Sequence, residues 1–236
     1  MTVPSSEGEG KRAETHAPTG CCEWRPAGRG IIHQEMPRGD AVGRMHGFQL
    51  WANLPARHKM TVPRYQELKA EQIPTLTEDD GTVARLICGH FWGKRGPVEG
   101  IAADPTYVDI SVPAGKTKVL PVAITSHAFA YVFAGSGVFA NASPPQPVST
   151  ELVAENSLLD TQPLTTLADN RSMVLFDSGD EVRVTAGEQG IRFLLISGKP
   201  LQEPVAWRGP IVMNTQEELR QAYAELQKGT FLKTGT

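Results

Sequence analysis

The sequence predicts an all-β protein that closes on one helix, and three observations carry that reading. Short segments of alternating apolar and polar residues recur along the chain, each punctuated by Gly, Asp or Pro, as in a β-barrel or sandwich. The last stretch instead carries apolar residues at helical spacing behind a capping pattern. Hydrophobic residues make up 40% of 236, enough for a real core in two domains of about 100 to 150 residues or one large β domain.

Residues 1 to 20 hold no large apolar side chain beyond Met1 and Val3 and are rich in Ser, Glu, Gly, Lys and Pro. That is the composition of a solvated, disordered tail. The run Gly28-Arg29-Gly30-Ile31-Ile32-His33-Gln34-Glu35-Met36-Pro37 follows. Side chains two apart on an extended strand point the same way, so the imidazole of His33 and the carboxylate of Glu35 would enter one cavity, as two ligands of one metal ion do. A polar strand face has the same spacing without a metal. Phe48, Leu50, Ala52 and Leu54 alternate with Gln49, Trp51 and Asn53, which predicts a strand ended by Pro55. Gln49, Trp51 and Asn53 are candidates to line the first cavity. Tyr65, Leu68 and Ile73 have helical or irregular spacing up to Pro74, and Thr77-Glu78-Asp79-Asp80-Gly81 has the chemistry of a tight turn into a strand over 82–88.

The second half alternates more strictly. Strands are expected at 107–112, 118–123 and 129–133, the last with Phe129, Tyr131 and Phe133 on one face. Ala134-Gly135-Ser136-Gly137 reads as a hairpin back into Val138-Phe139. Further strands are expected at 173–176, 182–184 and 191–196, with the turn Asp177-Ser178-Gly179-Asp180 between the first two. His127 lacks a second ligand at strand spacing and reads as a loop or strand-start residue, so no metal is expected in this half.

A helix over 214–228 ends the pattern, with Asn214 as N-cap, Glu217 completing a capping box and Glu218 favourable near the positive helix end. Leu219, Ala222, Tyr223 and Leu226 form its apolar stripe, and Gly229 can take the left-handed closing conformation.

A net charge of −3 gives no pull toward nucleic acid or anionic membrane, and Lys94-Arg95 and Lys116-Thr117-Lys118 read as solvated loops. No run of about 18 apolar residues and no apolar leader core is seen, so a soluble cytoplasmic protein is expected. Cys21, Cys22 and Cys88 form no zinc pattern or disulfide framework and are expected as reduced thiols.

The blocks from Gly30 to Pro37, from His46 to Pro55 and from Lys59 to Gln66 closely resemble the pirin family. The resemblance resumes in Gly198-Lys199-Pro200-Leu201 and from Gly209 to Glu218. It implies a bicupin: two tandem cupin barrels of the double-stranded β-helix kind, the first of them incomplete here, plus the C-terminal helix. The implied division is a non-family tail at 1–23, a partial N-terminal cupin domain at 24–105, a C-terminal cupin domain at 106–200, and a terminal segment at 201–236.

The family's first barrel holds a mononuclear non-haem Fe(II) by a His-x-His pair and a His-x-Glu pair. His33 and Glu35 match the second pair; the first has no counterpart, since His16 fits no family motif. His46 reads as a supporting residue rather than a ligand. The resemblance implies quercetin 2,3-dioxygenase activity on a flavonol-like small molecule, with metal binding impaired by the missing pair. Two other readings stay open: a non-enzymatic regulatory module that binds a protein partner, and a truncated product without independent function.

Overall fold

The computed structural model describes residues 2–3, 14–15, 22–32, 34–35, 42–43, 47–98, 100, 102, 104–147 and 166–232. The chain divides into two compact units. One comprises residues 1–72, 101–103 and 201–236, and the other 73–100 and 104–200.

In the first unit β1 (Thr2–Val3) pairs in parallel with β4 (Ile31–Ile32), and β2 (Glu14–Thr15) with β5 (Gln34–Glu35). β3 (Cys22–Trp24) pairs antiparallel with β6 (Gln66–Leu68). Of the expected tail, therefore, these short segments up to Glu23 are extended and paired; the rest lies outside the described residues. The strand expected over 48–54 does not form: 48–55 lies outside any strand, and Ala56–His58 is a 3-10 turn. Alternation makes a strand only where a neighbouring strand can take its backbone N–H and C=O groups. The polar stretch behind it does supply one short strand, β6, followed by a 3-10 turn at Ala70–Gln72.

The second unit is built on nine strands, in the order β14-β16-β13-β17-β11-β8-β7 with β12 on β17 and β15 on β13. These are β7 (Thr75–Thr77), β8 (Val83–Cys88), β11 (Thr106–Val112), β12 (Thr117–Pro121), β13 (His127–Phe139), β14 (Gln146–Pro147), β15 (Leu167–Ala168), β16 (Ser172–Phe176) and β17 (Glu181–Gly198). A hairpin of β9 (His90–Phe91) and β10 (Lys94–Arg95) lies beside them. The strands expected at 82–88, 107–112, 118–123 and 173–176 are all present within a residue or two. β7 and β8, which the sequence division places with 24–105, hydrogen-bond into this sheet through β11.

β13 and β17 differ from expectation in the same way. Residues 134–137 make no hairpin; β13 runs on through them with register shifts at Val132/Ala134 and Gly135/Gly137. The expected strands at 182–184 and 191–196 are the two halves of β17. Its first half pairs with β12 and the end of β13, its second with β11 and the start of β13. Glycines that look like turn signals are bulge positions instead. Gly135 has φ +67, and a Cβ there would lie 2.1 Å from the carbonyl oxygen of Gly190.

The core of this unit lies on one side of each strand. Ala84 and Leu86 from β8, Val108, Ile110 and Val112 from β11, Ala130 and Val132 from β13, and Phe193 and Leu195 from β17 are buried together. Phe193 meets Phe139 edge-on, with centroids 5.2 Å apart. Burying each of the Val, Ile, Leu and Phe side chains contributes roughly 1.5 to 3 kcal/mol before entropy is counted. Phe129, Tyr131 and Phe133 share the opposite face of β13, where the Arg192 guanidinium stacks on the Phe133 ring at 5.0 Å. Arg192 also forks onto Asp109, with Nε and Nη2 donating at 2.9 and 2.6 Å.

The C-terminal segment returns to the first unit. β18 (Ala206–Arg208) and β19 (Ile211–Met213) form a hairpin, and α1 (Gln216–Gln227) packs Leu219 and Ala222 against Ala206, Ile211 and Phe231. The N-cap is Thr215, one residue later than the sequence suggests. Its hydroxyl accepts from the Glu218 N–H at 3.2 Å, and Glu218 Oε2 accepts from the Thr215 N–H at 2.9 Å. Asn214 is drawn away: its side-chain amide donates to Glu203 at 3.1 Å and to the Pro204 carbonyl at 2.9 Å. No described helix is long and apolar enough to cross a membrane.

Candidate functional site

The approach to the His33-Gln34-Glu35 motif is the best-defined part of the candidate site. Gly28 and Gly30 flank Arg29 with φ +47 and +118, backbone that L side chains adopt at a cost. The Arg29 N–H donates to the Thr61 carbonyl at 2.9 Å, and the Arg64 N–H to the Pro26 carbonyl at 3.1 Å. These bonds set β4 beside the loop at 53–65. His33 itself, with His46, lies outside the described residues. For Glu35 the backbone is described, in β5, and the side chain is not.

Beneath the loop sits a charge the sequence reading passed over. Lys59 is only 7% exposed. Its ammonium donates to Asn53 Oδ1 at 2.6 Å and to the Leu54 carbonyl at 2.8 Å. Burial pulls its pKa below the ordinary lysine value, against the opposing pull of Glu203 and Glu218. Glu203 also accepts the Ala56 N–H at 2.7 Å. Of the three candidate lining residues, Gln49 and Trp51 are exposed, while Asn53 points at Lys59.

A second polar cluster lies on the β3–β6 pair. Arg25 pairs with Glu23, and its guanidinium lies 5.4 Å from the centre of the Tyr65 ring. The register sets Glu23 directly opposite Glu67. Burial, joined by the charges of Glu23 and Glu67, pushes the Tyr65 phenol up to about 12, so it is protonated at neutral pH and is a hydrogen-bond donor there.

An imidazole and a carboxylate suit a non-haem iron in type; in number they fall short of the three or four protein ligands such a site uses. Among the described residues no group of three or more His, Cys, Asp or Glu is placed to hold a metal ion. In the second unit His127 opens β13 and is exposed.

Gly-x-Gly before an apolar pair marks a close backbone approach. Lys59 follows Arg57 and His58, so nothing local in the sequence singles it out as the buried cation.

The sheet, with β17 shared between β11, β12 and β13, defines the protein as a cupin. A 26% identical quercetin 2,3-dioxygenase from Acinetobacter baumannii superposes with a TM-score of 0.62 over 77% of this chain and 55% of that one. The family model for the pirin C-terminal cupin domain matches residues 107–232. A pirin-like protein of Caulobacter vibrioides is 40% identical over 90% of this chain and 68% of its own length. Mouse pirin is 34% identical over 88% of this chain and 64% of its own length. The chain belongs to the pirin family, and it spans about two thirds of the length of these relatives.

Proposed function

We propose that this chain is a pirin-type cupin of the quercetin 2,3-dioxygenase kind, acting on a flavonol-like small molecule, whose iron binding is weak in the chain as it stands. The observation that carries this is the His33-x-Glu35 pair, placed directly after the seated Gly28–Gly30 segment and offering two donors of the right chemistry without a His-x-His partner. An iron(II) centre supplies Lewis acidity and reactivity toward O₂ when it is bound with open positions. The part of His33 and Glu35 is to hold it. Cytoplasmic residence belongs to the same reading.

Iron content after purification, followed by oxygen uptake with quercetin, tests the proposal. The expected result is substoichiometric iron and turnover below detection. Stoichiometric iron with turnover refutes the weak-binding part, and tight iron untouched by H33A refutes the site.

A second reading, a protein-binding module, is favoured by the large apolar side chains that the first unit exposes. Trp51 is 53% exposed, Val62 67% and Trp207 66%. Partners captured equally with and without a chelator support this reading. Capture that a chelator abolishes supports an intact metal site.

A further inference from the structure

The strand that leads into His33 rests on residues from the far end of the chain. A Cβ on Gly30 would lie 2.6 Å from Cε1 of Phe231 and 3.1 Å from Cδ2 of Leu232, so the backbone three residues before His33 lies directly on that ring. Phe231 is 3% exposed, held among Ala206, Ile211, Leu219 and Ala222. Two residues earlier, a Cβ on Gly28 would lie 2.2 Å from the Thr61 carbonyl oxygen, the same oxygen that takes the Arg29 N–H.

Thr61 is itself fixed. Its N–H and its hydroxyl both donate to the His58 carbonyl, at 3.2 and 2.8 Å. The loop carrying it is anchored through Lys59 and through the bond from the Ala56 N–H to Glu203, which also takes the Asn214 amide. Two separate tethers from the C-terminal segment therefore reach the base of the strand: Phe231 touches Gly30, and Glu203 holds the loop that seats Gly28 and Arg29.

A ligand pair must be held within about 0.5 Å to be useful, and a two-residue strand such as β4 has little pairing of its own to do that. We infer that the C-terminal segment 201–232 sets the position of β4, the strand that leads into His33, with Phe231 and Glu203 as the positioning residues. The seating is independent of any metal; only its consequence for metal affinity rests on the function proposed above.

The test uses the full chain with F231A and E203A, their conservative partners F231L and E203Q, and H33A. Hydrogen exchange is followed over 26–35 and 53–62, with strands β11 and β17 as internal references. In F231A the amides of Gly30 to Ile32 are expected to exchange at least tenfold faster. E203A should do the same for 56–61 and for Arg29. The references should not move, and F231L and E203Q should restore most of the protection. Cobalt(II) affinity, measured by equilibrium dialysis, should fall at least tenfold in F231A and recover in F231L.

Unchanged exchange at 28–32 in both alanine variants overturns the inference, as does equal loss of protection in β11 and β17. Should F231A fail to fold, E203A, which removes a half-buried side chain and no core volume, decides the matter. Cobalt binding that H33A leaves untouched refutes the metal reading alone, and the exchange data then decide the positioning role.

Discussion

Replacing Lys59 with Met keeps an unbranched side chain of similar length and removes one charge with two hydrogen bonds. The lost donor leaves Asn53 Oδ1 and the Leu54 carbonyl to find other partners in a site where Lys59 is almost wholly enclosed. Each buried acceptor left without a donor costs about 1 to 3 kcal/mol, and relief from burying the ammonium returns part of that, so a net loss of about 2 to 3 kcal/mol is expected. In a unit of this size a loss of 1 kcal/mol lowers the midpoint by about 4 to 8 °C, which puts the shift near 10 to 20 °C. Thermal unfolding followed by calorimetry and by hydrogen exchange over 53–62 measures it. The pH dependence has a definite sign. Because burial lowers the folded-state pKa below 10.5, the unfolded chain binds more protons between the two values, and stability rises with pH in that window. Wild type should therefore gain on K59M as pH climbs from the lowered pKa to 10.5. A K59M midpoint within about 2 °C of wild type at pH 7 would refute the reasoning, since the desolvation of the charge would then cancel its bonds.

Other perturbations reach the rest of the fold. D109N weakens the fork from Arg192, whose partner carboxylate is 10% exposed while the guanidinium is 43% exposed; a loss of about 2 kcal/mol, between the surface and buried limits, is expected in chemical denaturation. T215A removes the helix cap and should cost about 1 kcal/mol, with amides at the start of α1 exchanging faster. Asp80 is held at about 2, chiefly by the Thr82 N–H and then by Lys118. Its contribution to stability is full above 3.8 and is lost as pH falls through about 2, so acid titrations of wild type and D80N should run in parallel above pH 4 and converge below it.

What the sequence revealed depended on how local the cause was. β8 and β11 were legible because a buried face and a solvent face alternate within each strand, and the Glu78–Gly81 turn because Asp-Gly chemistry is local. β13 and β17 each look like two pieces in the sequence, because Gly135 and Gly190 carry the same local signal whether a chain turns or bulges; the choice is made by the facing backbone. The 48–54 segment failed for the converse reason, having the alternation without a partner strand. The N-cap moved from Asn214 to Thr215 because Glu203, eleven residues back, claims the asparagine amide. At the candidate site, the His33-x-Glu35 spacing is plain, while Glu203 and Phe231 matter through contacts with Ala56 and Gly30 that span the length of the chain.

The first unit is discontinuous: its two main parts, 1–72 and 201–236, bracket the second unit. On the ribosome, at about 5 to 20 residues per second, the sheet of the inserted unit is complete once Gly198 has emerged. The support for Gly30 does not yet exist at that moment. Gly30 and β4 are made long before Phe231, the ring against which Gly30 packs, appears. A stop codon or proteolytic cut between Gly198 and Phe231 is thus expected to leave the sheet of the second unit intact and to remove the support beneath Gly30.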